Sequence, residues 1–194
     1  MLALPPAPAP ARPRQMLVGT ALAAGAAAML VMGQLAAYVS IRKTEGSGLT
    51  TEWLPDGVVI NEIASNTMLI TLLCTSVMAQ WAVYAMHRGD RRNAGIALVL
   101  TVLFGAAAIN AQVFIWSVWG VAFATVYGTL VYTITGTFVA LLVAMVLMAG
   151  VMAFRSFGGR YSPKDTEGLS ATALFVHATT VIFCAVWYVI YVLK

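Results

Sequence analysis

The sequence predicts an all-α integral membrane protein, a bundle of five transmembrane helices, and three observations lead there. Of 194 residues, 61% are hydrophobic and only 9% are charged, whereas soluble domains carry about 25% charged residues. The few charges fall between long uncharged runs of helix-spanning length. Pro is absent from every one of those runs. Strands of about ten alternating residues, the other way to satisfy a backbone in lipid, are not present.

The elements follow in chain order. Pro5, Pro6, Pro8, Pro10 and Pro13 predict a disordered arm over 1–14, because proline removes the amide donors a helix needs. The remainder, 15–194, reads as one transmembrane domain. Its first span covers about 15–41, an apolar run too long for a signal peptide and without a clear cleavage site, so it is expected to be retained. The second span covers 63–86. The uncharged stretch Asn93 to Phe154 would run roughly 90 Å as one helix at about 1.5 Å per residue, far beyond a hydrocarbon core of roughly 30 Å. It is expected to fold back between Trp116 and Tyr127, where Trp116, Trp119 and Gly120 supply interfacial aromatics and a flexible turn. That gives spans of about 93–118 and 126–154, and the fifth covers 168–193.

Charge sets the expected orientation. With five spans, Arg12, Arg14, Arg88, Arg91, Arg92, Arg155, Arg160 and Lys164 share one side, leaving Arg42, Lys43 and Lys194 on the other. The positive-inside rule places the N-terminus in the cytoplasm and the C-terminus outside. The formal net charge of +4 is thereby an orientation signal and calls for no nucleic-acid partner. The long external loop carries Glu45, Glu52, Asp56 and Glu62, an acidic face available to a neighbouring subunit. Its Trp53, beside Leu54-Pro55, reads as an anchor at lipid headgroup depth.

Chemistry-bearing groups inside the spans are sparse. His177 is the one titratable side chain well inside a span apart from Tyr and Cys, and no acid or second His lies at i±3 or i±4. A metal site is therefore not expected, and an interhelical hydrogen bond is. Cys74 and Cys184 form no CxxC or zinc spacing and read as small apolar residues. Gln34, Asn66, Thr67, Gln80, Asn110, Gln112, Thr133, Thr135 and Thr137 are expected to bond between helices. Gly19, Ala23 and Ala27 form a small-xxx-small face that lets a second backbone approach closely. No internal repeat or broken helix marks a transporter site, and no carboxylate pair or nucleophile constellation marks an enzyme.

Several of these residues stand in an order that resembles subunit III of haem-copper cytochrome oxidases, in the five-helix form common in bacteria. Tyr38 and Arg42 are similar to that family's Tyr-x-x-x-Arg exit from a span, and Leu54-Pro55 follows in the loop. Asn66-Thr67, Ser76 and Ala79 resemble its Asn-Thr…Ser-Ser…Ala run. Thr101, Gly105 and Gln112 resemble its Thr-x-x-x-Gly…Gln helix. Tyr127-Gly128, Tyr132, Thr135 and Gly136 resemble its Tyr-x-x-x-x-Tyr-x-x-Thr-Gly signature, and His177 with Tyr191 matches its last helix. The departures are as specific. Ala27 stands where the family keeps a glutamate in the first span, and Ile115 replaces another after Gln112. Phe138 and Leu141 replace two histidines, and Thr180 replaces an aspartate.

The resemblance implies an accessory, non-catalytic subunit of a terminal oxidase, packed against subunit I and in company with subunit II. It implies no haem or copper bound by this chain, bound phospholipid, and a place in a bacterial plasma membrane as part of aerobic respiratory electron transport. Asn66, Thr67, Gln112, Tyr132, Thr135, Gly136 and His177 become candidate structural, lipid or subunit-contact residues. The alternatives are a subunit III-like partner of a nitric oxide reductase, or a small multi-pass transporter or assembly factor.

Overall fold

The computed structural model describes residues 14–45, 53–55, 57–58, 60–159, 161 and 165–193. The proline-rich arm through residue 13 lies outside them, as do Glu52, Asp56, Arg160, Lys164 and Lys194. Five long helices form: α1 Gln15–Glu45, α2 Glu62–His87, α3 Arg91–Val118, α4 Val126–Phe157 and α5 Glu167–Val186, the last running into a π-helical turn, Trp187–Val192. All five are long and apolar enough to cross a bilayer, and no strand occurs among the described residues. The expected spans fall inside these helices, apart from the last residue or so of the fifth. Most helices run on for up to a turn beyond them, into the polar zone that the charge-free windows left out.

Four of the five helices start where a side chain takes up unpaired amides, and α5, headed by Thr166, starts without a side-chain cap. Asn61 accepts from the Ala64 amide at 3.0 Å, Asp90 from Asn93 at 3.0 Å, and Thr125 from Gly128 at 3.0 Å. Helix α1 has a distant cap. Glu167 Oε1, at the start of α5, accepts from the Met16 and Leu17 amides at 2.8 and 3.1 Å. At the far end Arg42 Nη1 donates to the Leu193 carbonyl at 3.1 Å. Helices α1 and α5 are thus parallel and fastened at both ends.

Helices α2 to α5 pack as a ring in which α2 meets α3, α3 meets α4, α4 meets α5 and α5 meets α2. Helix α1 lies outside the ring against α5 and α4. Only 11% of its span is buried, against 44% for α5. Its inward side is Ala24, Val31, Leu35 and Tyr38, with Ala27 and Ala28 half-buried beside them. The small-residue face predicted on α1 turns largely away from this bundle. Gly19 and Ala23 are exposed, and a Cβ added at Gly19 would meet nothing within 4 Å. The close approach within the ring comes elsewhere: at Gly105 an added Cβ would lie 2.6 Å from Val146 Cγ2, so α3 and α4 pack through a bare backbone.

The chain reverses between α3 and α4 at Trp119 to Thr125, inside the expected window, with Gly120 at φ 67°. At one end of the bundle stand Arg14, Arg88, Arg91, Arg92 and Arg155, and at the other Arg42 and Lys43. Between α4 and α5, Tyr161 is buried, and its hydroxyl donates to Met152 Sδ at 2.7 Å. Burial holds that phenol above its ordinary value, with the Arg155 guanidinium pulling the other way.

The Glu167 cap generates a prediction. Glu167→Ala leaves two amides of α1 without their acceptor and removes a negative charge from a helix N-terminus, a loss of about 1–2 kcal/mol. Unfolding in mixed micelles by titrated SDS should begin earlier for Glu167→Ala, and Glu167→Gln should recover part of the difference.

Candidate functional site

The polar groups inside the bundle form two separate assemblies. The first lies toward the Arg42 end and is built on aromatic rings. Gln112, fully buried on α3, accepts a hydrogen bond from the Tyr191 hydroxyl at 3.3 Å. Tyr191 stacks on Trp119, centroids 5.9 Å apart and planes 13° from parallel. Trp119 meets Tyr132 edge-on at 6.0 Å, and Tyr132 meets Trp116 at 6.2 Å. Trp116 Nε1 closes the series by donating to the Thr135 hydroxyl at 3.0 Å. Four segments are tied together this way: α3, the reversal, α4 and the π turn of α5. Such ring pairs add about 0.5–1.5 kcal/mol each beyond the area they bury.

Three of the seven predicted residues, Gln112, Tyr132 and Thr135, belong to this assembly. Asn66 sits at its edge, where its Oδ1 accepts from Trp187 Nε1 at 2.8 Å. Thr67 is exposed and turns its hydroxyl back to the Ile63 carbonyl at 2.8 Å. At Gly136 an added Cβ would meet nothing within 4 Å, so neither residue joins the cluster. Trp53 departs from its reading as a headgroup anchor. It is 8% exposed, donates from Nε1 to the Tyr38 hydroxyl at 3.0 Å and meets Tyr127 edge-on. A tryptophan beside proline in a loop looks interfacial in one dimension; folding brings it under α1 and α4.

The second assembly surrounds His177, between α5 and α2. Gln80 Oε1 lies 3.1 Å from Nε2, and the Ser76 hydroxyl meets Nδ1. An amide oxygen only accepts, so in the neutral ring Nε2 carries the proton and Nδ1 accepts from Ser76. Both ring nitrogens are occupied by neutral groups on the neighbouring helix. Gln34 and Thr137 form a further interhelical pair at 2.9 Å.

The positions that depart from the family pattern are filled with packed side chains. Ile115 and Phe138 are fully buried, and Phe138 stacks on Phe183 with centroids 5.0 Å apart. The Thr180 hydroxyl bonds to the Leu72 and Val176 carbonyls at 3.3 and 2.9 Å. Among the described residues no group of three or more His, Cys, Asp or Glu side chains is placed to hold a metal ion. Cys74 is exposed on the outer surface of α2 and Cys184 is half-buried, both as free thiols.

Comparison with known proteins decides the family. The family model described as cytochrome c oxidase subunit III matches residues 13–194. The chain belongs to the cytochrome c oxidase subunit III family. Among its relatives, cytochrome c oxidase subunit 3 of Corynebacterium diphtheriae is 25% identical over 188 residues, covering 94% of this chain and 90% of that protein. Cytochrome c oxidase subunit 3 of Thermostichus vulcanus is 22% identical over 163 residues, covering 83% and 79%. That of Candida parapsilosis is 23% identical over 158 residues, which is 80% of this chain and 59% of the longer yeast protein. Membership and five spanning helices together make this chain a multi-pass membrane protein with a subunit III role in a haem-copper oxidase.

Two functional features were not found by sequence reasoning. Glu167 stands directly ahead of an apolar run, which predicts a cap on its own helix, whereas its carboxylate caps the distant α1. Trp119 was read only as interfacial, and its stacking on Tyr191 depends on a contact between residues far apart in sequence.

The filled interior generates a prediction. Phe138→His buries an imidazole against Phe183 and discards the ring pair. It should cost about 3 kcal/mol, measured as a fall in the SDS fraction needed to unfold half the protein.

Proposed function

We propose that this chain is an accessory, non-catalytic subunit of a haem-copper terminal oxidase, packing against subunit I, associated with subunit II, and holding phospholipid in a bacterial plasma membrane. The observation that carries this reading is the filled interior. Ile115 and Phe138 are fully buried and Leu141 packs partly buried against the same core, and between the helix ends His177 is the only His, Asp, Glu, Lys or Arg. Proton chemistry needs groups that change charge near the working pH, and one histidine between neutral partners is no chain of them. Such a bundle supports another subunit's chemistry by shape and by the lipid it excludes or retains.

Helix α1 favours the packing role. Leu22 and Met29 are 70% and 80% exposed, and added Cβ atoms at Gly19, Gly25 and Gly33 would meet nothing within 4 Å. A helix with a surplus of small residues on its open side is suited to close contact with a second subunit. The aromatic assembly, with Gln112, Tyr132 and Thr135, and the neighbouring Asn66 serve as structural residues that keep that side in place. Thr67, exposed, and Gly136, half-buried, serve as contact positions.

Two experiments test this. Purification through a tag on this chain in mild detergent should bring down a haem-bearing partner, seen as haem absorption bands and identified by mass spectrometry. A pure, haem-free chain would overturn the assignment. The same reading places 15–194 in one membrane domain with Arg14, Arg88, Arg91, Arg92 and Arg155 on the cytoplasmic side. Reporter fusions should give an active external phosphatase after Leu193 and an inactive one in the Arg88–Asp90 turn.

A further inference from the structure

Among the described residues, three of the buried polar atoms without a hydrogen-bond partner belong to the Arg42 end: Gln112 Nε2, Trp119 Nε1 and the Tyr127 hydroxyl. All three side chains are neighbours of Tyr191. Gln112 accepts from the Tyr191 hydroxyl at 3.3 Å, and Trp119 stacks on the Tyr191 ring. Tyr127 lies within electrostatic reach of the same phenol. The exposures of Gln112, Trp119 and Tyr127 are 0%, 1% and 3%. Gln112 lies six residues inside the end of α3, roughly 9 Å at about 1.5 Å per residue. An unpaired donor at that depth is costly, and buried polar atoms in native interiors are paired with protein or with ordered water.

The chemistry of the three atoms narrows what can pair with them. Gln112 Nε2 and Trp119 Nε1 only donate, whereas a phenol hydroxyl both donates and accepts. Water accepts from the two nitrogens and can still donate to a Tyr127 or Tyr191 oxygen. A lipid or a docking helix does not fit, because all three atoms are closed off from the bundle's surface. An ion fits poorly too: burying a charge costs far more than burying a neutral molecule.

The same end of the bundle offers a way in. A cleft of about 270 Å³ is lined by Glu62, Ser65, Asn66, Trp187, Tyr191 and Val192, room for several waters at about 30 Å³ each. Tyr191 belongs to both places, lining the cleft and bonding to Gln112 behind it. It stands in the π turn Trp187–Val192, and such turns recur at functional sites. We propose that the Arg42 end holds a small cluster of internal water behind Tyr191, bridging Gln112 Nε2, Trp119 Nε1 and the Tyr127 hydroxyl. The water joins α3, the reversal and α4 where no direct bond does, and it exchanges with the aqueous phase through the Asn66–Trp187 cleft. The inference rests on the interior of this chain alone and stands apart from the oxidase assignment.

The test uses the full chain with whatever partners purify with it. A brief X-ray pulse turns water into hydroxyl radicals where it stands, and peptide mass spectrometry then locates the oxidised side chains. Met145, 1% exposed and part of the apolar core, is the dry reference, because thioethers oxidise readily. Trp119, equally buried, should oxidise several-fold more than Met145. Gln112→Leu combined with Tyr127→Phe should lower that yield several-fold and leave Met145 unchanged. Trp119 oxidation no higher than that of Met145 in the wild-type protein would overturn the site. Unfolding by titrated SDS gives a second reading, of opposite sign for the two cases. Tyr127→Phe removes a bonded hydroxyl if water is present, so the midpoint should fall. In a dry interior it removes an unpaired one, which stabilises; a midpoint that holds or rises would therefore also overturn the inference.

Discussion

Hydrocarbon offers no partner to a hydroxyl, an amide or an indole N–H, and the internal organisation of this bundle follows from that constraint. Short and long polar side chains meet it differently. The hydroxyls of Thr71, Thr75, Thr101, Thr133 and Thr172 bond to the carbonyl four residues back on their own helix. They are self-contained and indifferent to their neighbours. Amides, indoles, phenols and the imidazole cannot reach back in this way, so they reach across. Gln34 finds Thr137, Trp116 finds Thr135, Trp187 finds Asn66, Tyr191 finds Gln112 and His177 finds Gln80. Each such bond fixes the relative height of two helices that apolar packing alone would leave freer to slide.

These bonds are distributed unequally, and the two ends of the bundle are built differently as a result. Toward the Arg42 end, Tyr38, Trp53, Trp119, Tyr127 and Tyr191 form a thick layer of buried rings. That layer holds polar atoms without an internal partner, among them Gln112 Nε2, Trp119 Nε1 and the Tyr127 hydroxyl. Toward the Arg88 end the ties are carboxylate caps on backbone amides: Glu167 on the start of α1, and Asp90 on the start of α3. The aromatic end is rigid through packing. The charged end depends on electrostatics near the water boundary, where salt screens it.

The fold was largely legible in the sequence because membrane helices are set by one-dimensional quantities. Run length, the absence of charge and the glycine directly after Trp116 and Trp119 place every helix and the reversal at Gly120. The placement of rings was less legible. Trp53 and Trp119 both carry the composition of interfacial residues, and both are buried because α1, α4 and the end of α5 close over them. Among the candidate residues, Gln112 and Thr135 were singled out by type and by family pattern and do lie in the core. Thr67 has the same credentials but faces outward, since nothing in a near-uniform apolar helix says which side turns inward. Helix α1 is the extreme case: its alanines and glycines run all round it, and only contact with α5 separates Ala24 from Ala23. Its fastening by Glu167 joins residues 151 positions apart, a distance no local pattern can encode.

That separation has a consequence for how the chain is made. Of these five helices α1 is made before the others, yet its neighbours in the finished bundle, α4 and α5, are made after α2 and α3. At about 5–20 residues per second, roughly 8–30 s pass between synthesis of Met16 and arrival of the carboxylate that caps it. Through that interval α2, α3 and α4 can assemble side by side, while α1 waits in the lipid with its small-residue face open. A helix in that state is recognisable both to quality-control proteases and to any partner already in the membrane. The topology that leaves α1 outside the ring thus also leaves open a period in which assembly with another subunit can begin before this one has finished folding.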